Sequence, residues 1–144
     1  MGSRSTLTQT TLTLICALAG MASLSVTPCE AEPVVIVNLK NHESLSPATI
    51  KQLFLERVET FPSGAVAFPV ESLASQKEFS ERFLQMTPES LNAYWARLLF
   101  TGQAKPLKKL AKDEDVIKFV RDNANAIGYV DSENVVSSVR VLAQ

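Results

Sequence analysis

His42 is the only histidine in this 144-residue chain, and that removes much of the chemistry a protein of this size could carry. A histidine-based metal cluster needs more than one imidazole. A nucleophile–histidine pair would have to find its base between Asn41 and Glu43, in a polar stretch that reads as a surface loop. Lys105, Lys108, Lys109 and Lys112 form a local basic patch, but Asp113, Glu114 and Asp115 follow at once and neutralise it. Asp131, Glu133 and Asn134 lack the glycine and the ligand spacing of a calcium loop. With no glycine-rich phosphate loop or catalytic signature elsewhere, the chain reads as a non-enzyme that needs no metal or cofactor. Ser72 and Ser75 stand just before an apolar run and are residue types that cap helices. On this reading Glu71 is a first-turn acid and Lys77 a solvated charge.

The compartment is legible at the N-terminus. Arg4 supplies a positive start, Leu12 to Ala22 an apolar stretch, and Cys29-Glu30-Ala31 small residues where a signal peptidase reads them. Residues 1–31 are therefore expected to be a secretory signal cleaved after Ala31. The apolar core is well short of the roughly 20 residues that span a bilayer, so no membrane insertion is expected once the signal is gone. Residues 32–144 suffice for one compact domain, placed in the periplasm. Cys16 and Cys29 are the only cysteines, so the mature chain has no disulfide and depends on packing. A formal net charge of −1 argues against a nucleic-acid partner.

The elements that must position any site follow from the apolar pattern. Val34-Val35-Ile36-Val37 is a β-branched run that fits a strand buried on both faces, as in a parallel sheet covered by helices. Ser46 as N-cap and Pro47 at the first helical position start a helix with Ile50, Leu53 and Phe54 on one face. A second strand is expected over Ala65 to Val70, then a helix from Ser72 or Ser75 burying Phe79, Phe83 and Leu84. Thr87-Pro88-Glu89 opens a third helix with Leu91, Tyr94, Trp95, Leu98 and Leu99 at helical spacing, stopped by Gly102. Gln103 to Ala111 reads as irregular. The acidic triplet then begins a fourth helix with Val116, Ile117, Phe119 and Val120 inward, and strands are expected at Ala126 to Val130 and Val135 to Leu142. Alternating strands and helices give an α/β layered domain.

These motifs, in this order, resemble the phosphate-binding substrate-binding proteins of bacterial ABC importers. Asn38 with Leu45-Ser46 before Ile50, Leu53 and Phe54 is similar to that family's strand and "LS…I..IF.G" helix, although Leu55-Glu56 stands where the family has glycine. Pro62-Ser63-Gly64 with Val66 and Pro69-Val70 resembles its turn and strand. Tyr94-Trp95 with Phe100-Thr101-Gly102 resembles its "W…F.G", and Ala126-Ile127-Gly128-Tyr129-Val130 its late "aIGYv" strand. The resemblance implies one lobe of a two-lobe type II periplasmic binding protein, as a three-layer domain whose mostly parallel sheet is flanked by helices. It also implies an anion loop, in the family an arginine followed four residues later by Ser-Gly-Thr at a helix N-terminus. Aligned on Phe79, the candidate ligand-binding residues are Ser72, Ser75, Gln76 and Lys77, with Glu71 in the place of the arginine. The expected ligand is phosphate or another small oxyanion, held weakly, with a periplasmic or membrane protein as the alternative partner.

Overall fold

A computed structural model describes residues 32–143, so the expected signal, residues 1–31, lies outside the described residues. Five strands form one sheet: β1 (Pro33–Asn38), β2 (Phe68–Ser72), β3 (Lys108–Leu110), β4 (Ala126–Asp131) and β5 (Val139–Ala143). Four helices surround it: α1 (Pro47–Phe54), α2 (Gln76–Phe79), α3 (Pro88–Phe100) and α4 (Asp113–Asp122). A π-type turn, Ser80–Leu84, prolongs α2, and a 3₁₀ turn, Ser132–Asn134, follows β4.

The strand order is β3-β2-β4-β1-β5. β2 pairs in parallel with β3 and β4, whereas β1 runs antiparallel to both β4 and β5. The expectation of a mostly parallel sheet is thus corrected to a mixed one. All six residues of β1 are buried, as its β-branched run suggested. Burial on both faces follows from helices above and below, and it does not set strand direction.

Side chains alternate between two cores. Val35, Val37, Ile127 and Tyr129 face Ile50, Leu53, Phe54, Phe79, Leu91 and Trp95 from α1, α2 and α3. Val34, Ile36, Val70 and Val130 face Val116, Ile117 and Val120 of α4. The domain is therefore an α/β sandwich of helices, sheet and helix. Gly128 permits the close approach of α4: a Cβ there would stand 2.7 Å from Val116 Cγ1 and 3.1 Å from Val70 Cγ1.

Local cap chemistry is as expected at two helices. Ser46 accepts from the Thr49 N–H at 3.1 Å, and Thr87 accepts from the Ser90 N–H at 3.3 Å. At the end of α1, Glu56 takes φ +50°, the left-handed conformation that glycine adopts most readily. Its carboxylate accepts the Lys105 N–H at 2.9 Å, which ties this turn to the loop before β3.

Several expectations change. Lys108–Leu110 is a short edge strand rather than part of an irregular segment, because pairing with β2 supplies what its own pattern lacks. β2 is displaced toward its C-terminus and ends at Ser72, so Ser72 is a strand residue and not a helix cap. The last strand starts at Val139, with the 3₁₀ turn taking up the residues after β4. On α3 the inward face is narrower than its apolar stripe. Leu91 and Trp95 are buried, Tyr94 and Leu98 half-buried, and Leu99 and Phe100 exposed, Phe100 to 94%.

Candidate functional site

The turn from β2 into α2 carries the residues that the sequence singled out, and the alternation along β2 sends them to opposite faces. Val70 and Ser72 face α4, while Glu71 faces the side covered by α1, α2 and α3.

On the α4 side, Asp113 is the organising group. It opens α4 and is only 4% exposed. Its carboxylate accepts from the Ser72 hydroxyl and from the Ser75 hydroxyl, the latter at 3.1 Å to each oxygen. It also accepts the Asp131 N–H at 2.8 Å and the Asn134 side-chain amide at 2.9 Å. One carboxylate thereby ties together the end of β2, the start of α2, the end of β4 and the 3₁₀ turn. Its place at a helix N-terminus, where the partial charge is positive, favours an anion. Ser75 does occupy the position before α2, yet its side chain makes no capping bond, since the hydroxyl is committed to Asp113.

On the other face, Glu71 is 3% exposed, in register with Lys109 of β3. Lys109 Nζ stands 3.6 Å from Glu71 Oε2, an ion pair too long for a hydrogen bond, and that oxygen has no hydrogen-bond partner. Burial pushes the Glu71 carboxyl above its ordinary range, an effect that Lys109 and Gln76 only partly oppose. Tyr129, one residue beyond the Val70–Gly128 pair, shares this face and stacks on Phe79 at 3.8 Å. Its hydroxyl is buried without a hydrogen-bond partner, and burial raises its pKa, with Glu71 and Asp113 adding to the rise.

The structure brings Ser72 and Ser75 together on Asp113, leaves Gln76 half-buried near Glu71, and puts Lys77 in solvent. Arg82, the other cation on this segment, pairs with Glu32 at 3.4 Å on the surface. Lys109 stays exposed, as read, but its charge partner is Glu71 rather than the acidic triplet that follows, and Asp113 of that triplet turns inward. Asp113 and Tyr129 were not singled out as site residues. Nothing in the run Asp113-Glu114-Asp115 distinguishes the buried acid from its two exposed neighbours.

A pH dependence follows from Glu71. Its carboxyl titrates higher in the folded chain than the ordinary 4.5, so the folded state favours the protonated form. Its penalty on stability is absent below the unfolded value, grows as pH rises from about 4.5, and is complete above the folded value. Glu71→Gln is therefore expected to melt above the parent at pH 7 and to lose that advantage as the pH falls below the ordinary carboxyl range. Thermal melts of both proteins across this range check it, and an unchanged difference at the two ends would remove burial as the cause.

Among the described residues no group of three His, Cys, Asp or Glu could hold a metal ion, and no helix is long and apolar enough to cross a membrane. The described residues form one α/β lobe whose fold is shared by part of several solved receptor structures. The chain is similar to an ABC-type phosphate transport receptor from Vibrio cholerae, with a TM-score of 0.60 and 14% identity over 78% of this chain and 45% of that one. It is also similar to PstS from Borrelia burgdorferi, with a TM-score of 0.55 and 11% identity over 78% of this chain and 47% of that one. The chain thus spans less than half the length of either structure. No family model and no curated protein matches it.

Proposed function

We propose that this chain is a periplasmic, single-lobe relative of the phosphate-type solute-binding proteins, associated with ABC transport, in which the oxyanion site is degenerate. The observation that carries this reading is the chemistry of the β2–α2 turn. Two buried carboxylates, Glu71 and Asp113, flank it, and both serine hydroxyls are already donated to Asp113. An oxyanion approaching Ser72, Ser75, Gln76 and Lys77 finds Lys77 in solvent, Lys109 already paired with Glu71, and no arginine fork. Like charges repel: at ~4 Å and an effective dielectric near 20, one such pair costs about 4 kcal/mol.

A second reading, a non-catalytic module that works by contacting another periplasmic or membrane protein, is favoured by one observation. Phe100 and its neighbour Leu99 end α3 in solvent, and an exposed aromatic beside an exposed leucine is surface that a protein partner covers well.

Calorimetric titration with phosphate tests the first reading. The expected dissociation constant is no tighter than about 1 mM, equivalent to about −4 kcal/mol. Micromolar binding would show that the turn still captures phosphate and would overturn the degenerate-site reading.

A further inference from the structure

α3 turns one side to the core and leaves the other bare. Leu91 and Trp95 point inward, and at about 3.6 residues per turn Glu89, Ala93, Ala96 and Phe100 line up on the opposite side. All four are exposed. Phe100, at 94%, is the most exposed large hydrophobic side chain among the described residues, and Leu99 beside it is exposed to 43%. An aromatic ring this bare gains from any surface that covers it.

The charges of this helix sit at its two ends. Glu89 lies in the first turn and Arg97 in the last. The Glu89 carboxyl is held below its ordinary range by its own backbone N–H and by Thr87, so it is ionised at neutral pH. Among the described residues neither Glu89 nor Arg97 forms an ion pair within the chain. They stand eight residues apart, about 12 Å along the axis.

That spacing makes the face complementary to itself. When a second copy of α3 is laid against it end for end about Ala93, Glu89 of each helix meets Arg97 of the other, and the small Ala93 side chains let the two axes approach. The same arrangement carries each Phe100 to the start of the other helix, against Met86 and Pro88, which are half-buried in one copy alone. We propose that two copies of this chain associate through the outer faces of α3, antiparallel, with Phe100 as the apolar anchor at each end and Glu89 paired with Arg97 of the second copy. This rests on the reading of α3 as a protein-contacting surface and names the partner. One helix pair covers less area than the roughly 1,200–2,000 Å² that stable complexes bury, so the association is weak and reversible.

Sedimentation equilibrium of the purified protein between about 10 µM and 1 mM tests this. The expected result is a monomer–dimer equilibrium with a dissociation constant on the order of 100 µM. Phe100→Ser is expected to weaken the dimer at least about ten-fold. Glu89→Arg and Arg97→Glu should each weaken it by opposing like charges, and the two combined should restore it. Melting curves confirm that each variant folds. A protein monomeric up to about 1 mM would overturn the second copy as partner and leave the protein-contact reading standing. A dimer that Phe100→Ser leaves unchanged would overturn this face as the contact, and with it the observation behind that reading. A double variant as weak as the single ones would overturn the antiparallel pairing.

Discussion

Asp113→Ala is expected to destabilise the domain by about 3–5 kcal/mol, a large part of the roughly 5–15 kcal/mol that holds a domain of this kind folded. The carboxylate accepts four donors from four separate segments, and most of that cluster is shielded from water. Alanine leaves the Ser72 hydroxyl and the Asp131 N–H without their acceptor, at about 1–3 kcal/mol for each buried unsatisfied group. Ser75 and Asn134 lose less if water reaches them. Asp113→Asn should fall between parent and alanine, since one oxygen remains but an amide N–H₂ now faces donors. Ser72→Ala should cost only about 1 kcal/mol, because Asp113 keeps its other partners. Urea unfolding of the three variants orders them. Loss of less than about 1 kcal/mol in Asp113→Ala would mean that the carboxylate does not hold these segments together.

Trp95→Ala is expected to cost a similar amount, about 3–5 kcal/mol, by a different route. The indole is 8% exposed and packs into the core above β1 and β4, edge-on to Tyr94 at 5.6 Å. Alanine would leave a cavity between α3 and the rest of that core. The Trp95 Nε1–H is buried without a hydrogen-bond partner, so Trp95→Phe removes an unsatisfied donor along with some volume. Phenylalanine should therefore cost clearly less than alanine. If Trp95→Ala unfolds at the same urea concentration as the parent, the buried face of α3 is not part of the core.

What the sequence made legible was local. The starts of α1 and α3 were readable because a cap, a proline and the first apolar residues lie within one turn of each other, and Ser46 and Thr87 do bond as caps. The serines at positions 72 and 75 show where this stops. A hydroxyl near a helix start can bond the next backbone amides or a distant carboxylate, and sequence does not choose between them. Here the acceptor, Asp113, is 38 residues beyond Ser75. β3 was missed for the same reason, since Lys108-Lys109-Leu110 has no strand pattern until β2 lies beside it. The direction of β1 was equally non-local, because its composition reported burial and nothing more. The reading of a flanked sheet in one α/β lobe survived all three changes, since it rested on the alternation of elements rather than on any one of them.

The antiparallel course of β1 has a consequence for when this domain can form. The first strand of the sheet pairs with β4 and β5 alone, the last two strands made. Until those segments exist, the most apolar strand has no backbone partner, and α1, which follows it, has half of its floor missing. Order arises here from contacts far apart along the chain, a topology that folds slowly compared with one built from neighbours. A chain that emerges N-terminus first therefore cannot close this sheet until β5 has followed, about a hundred residues after β1.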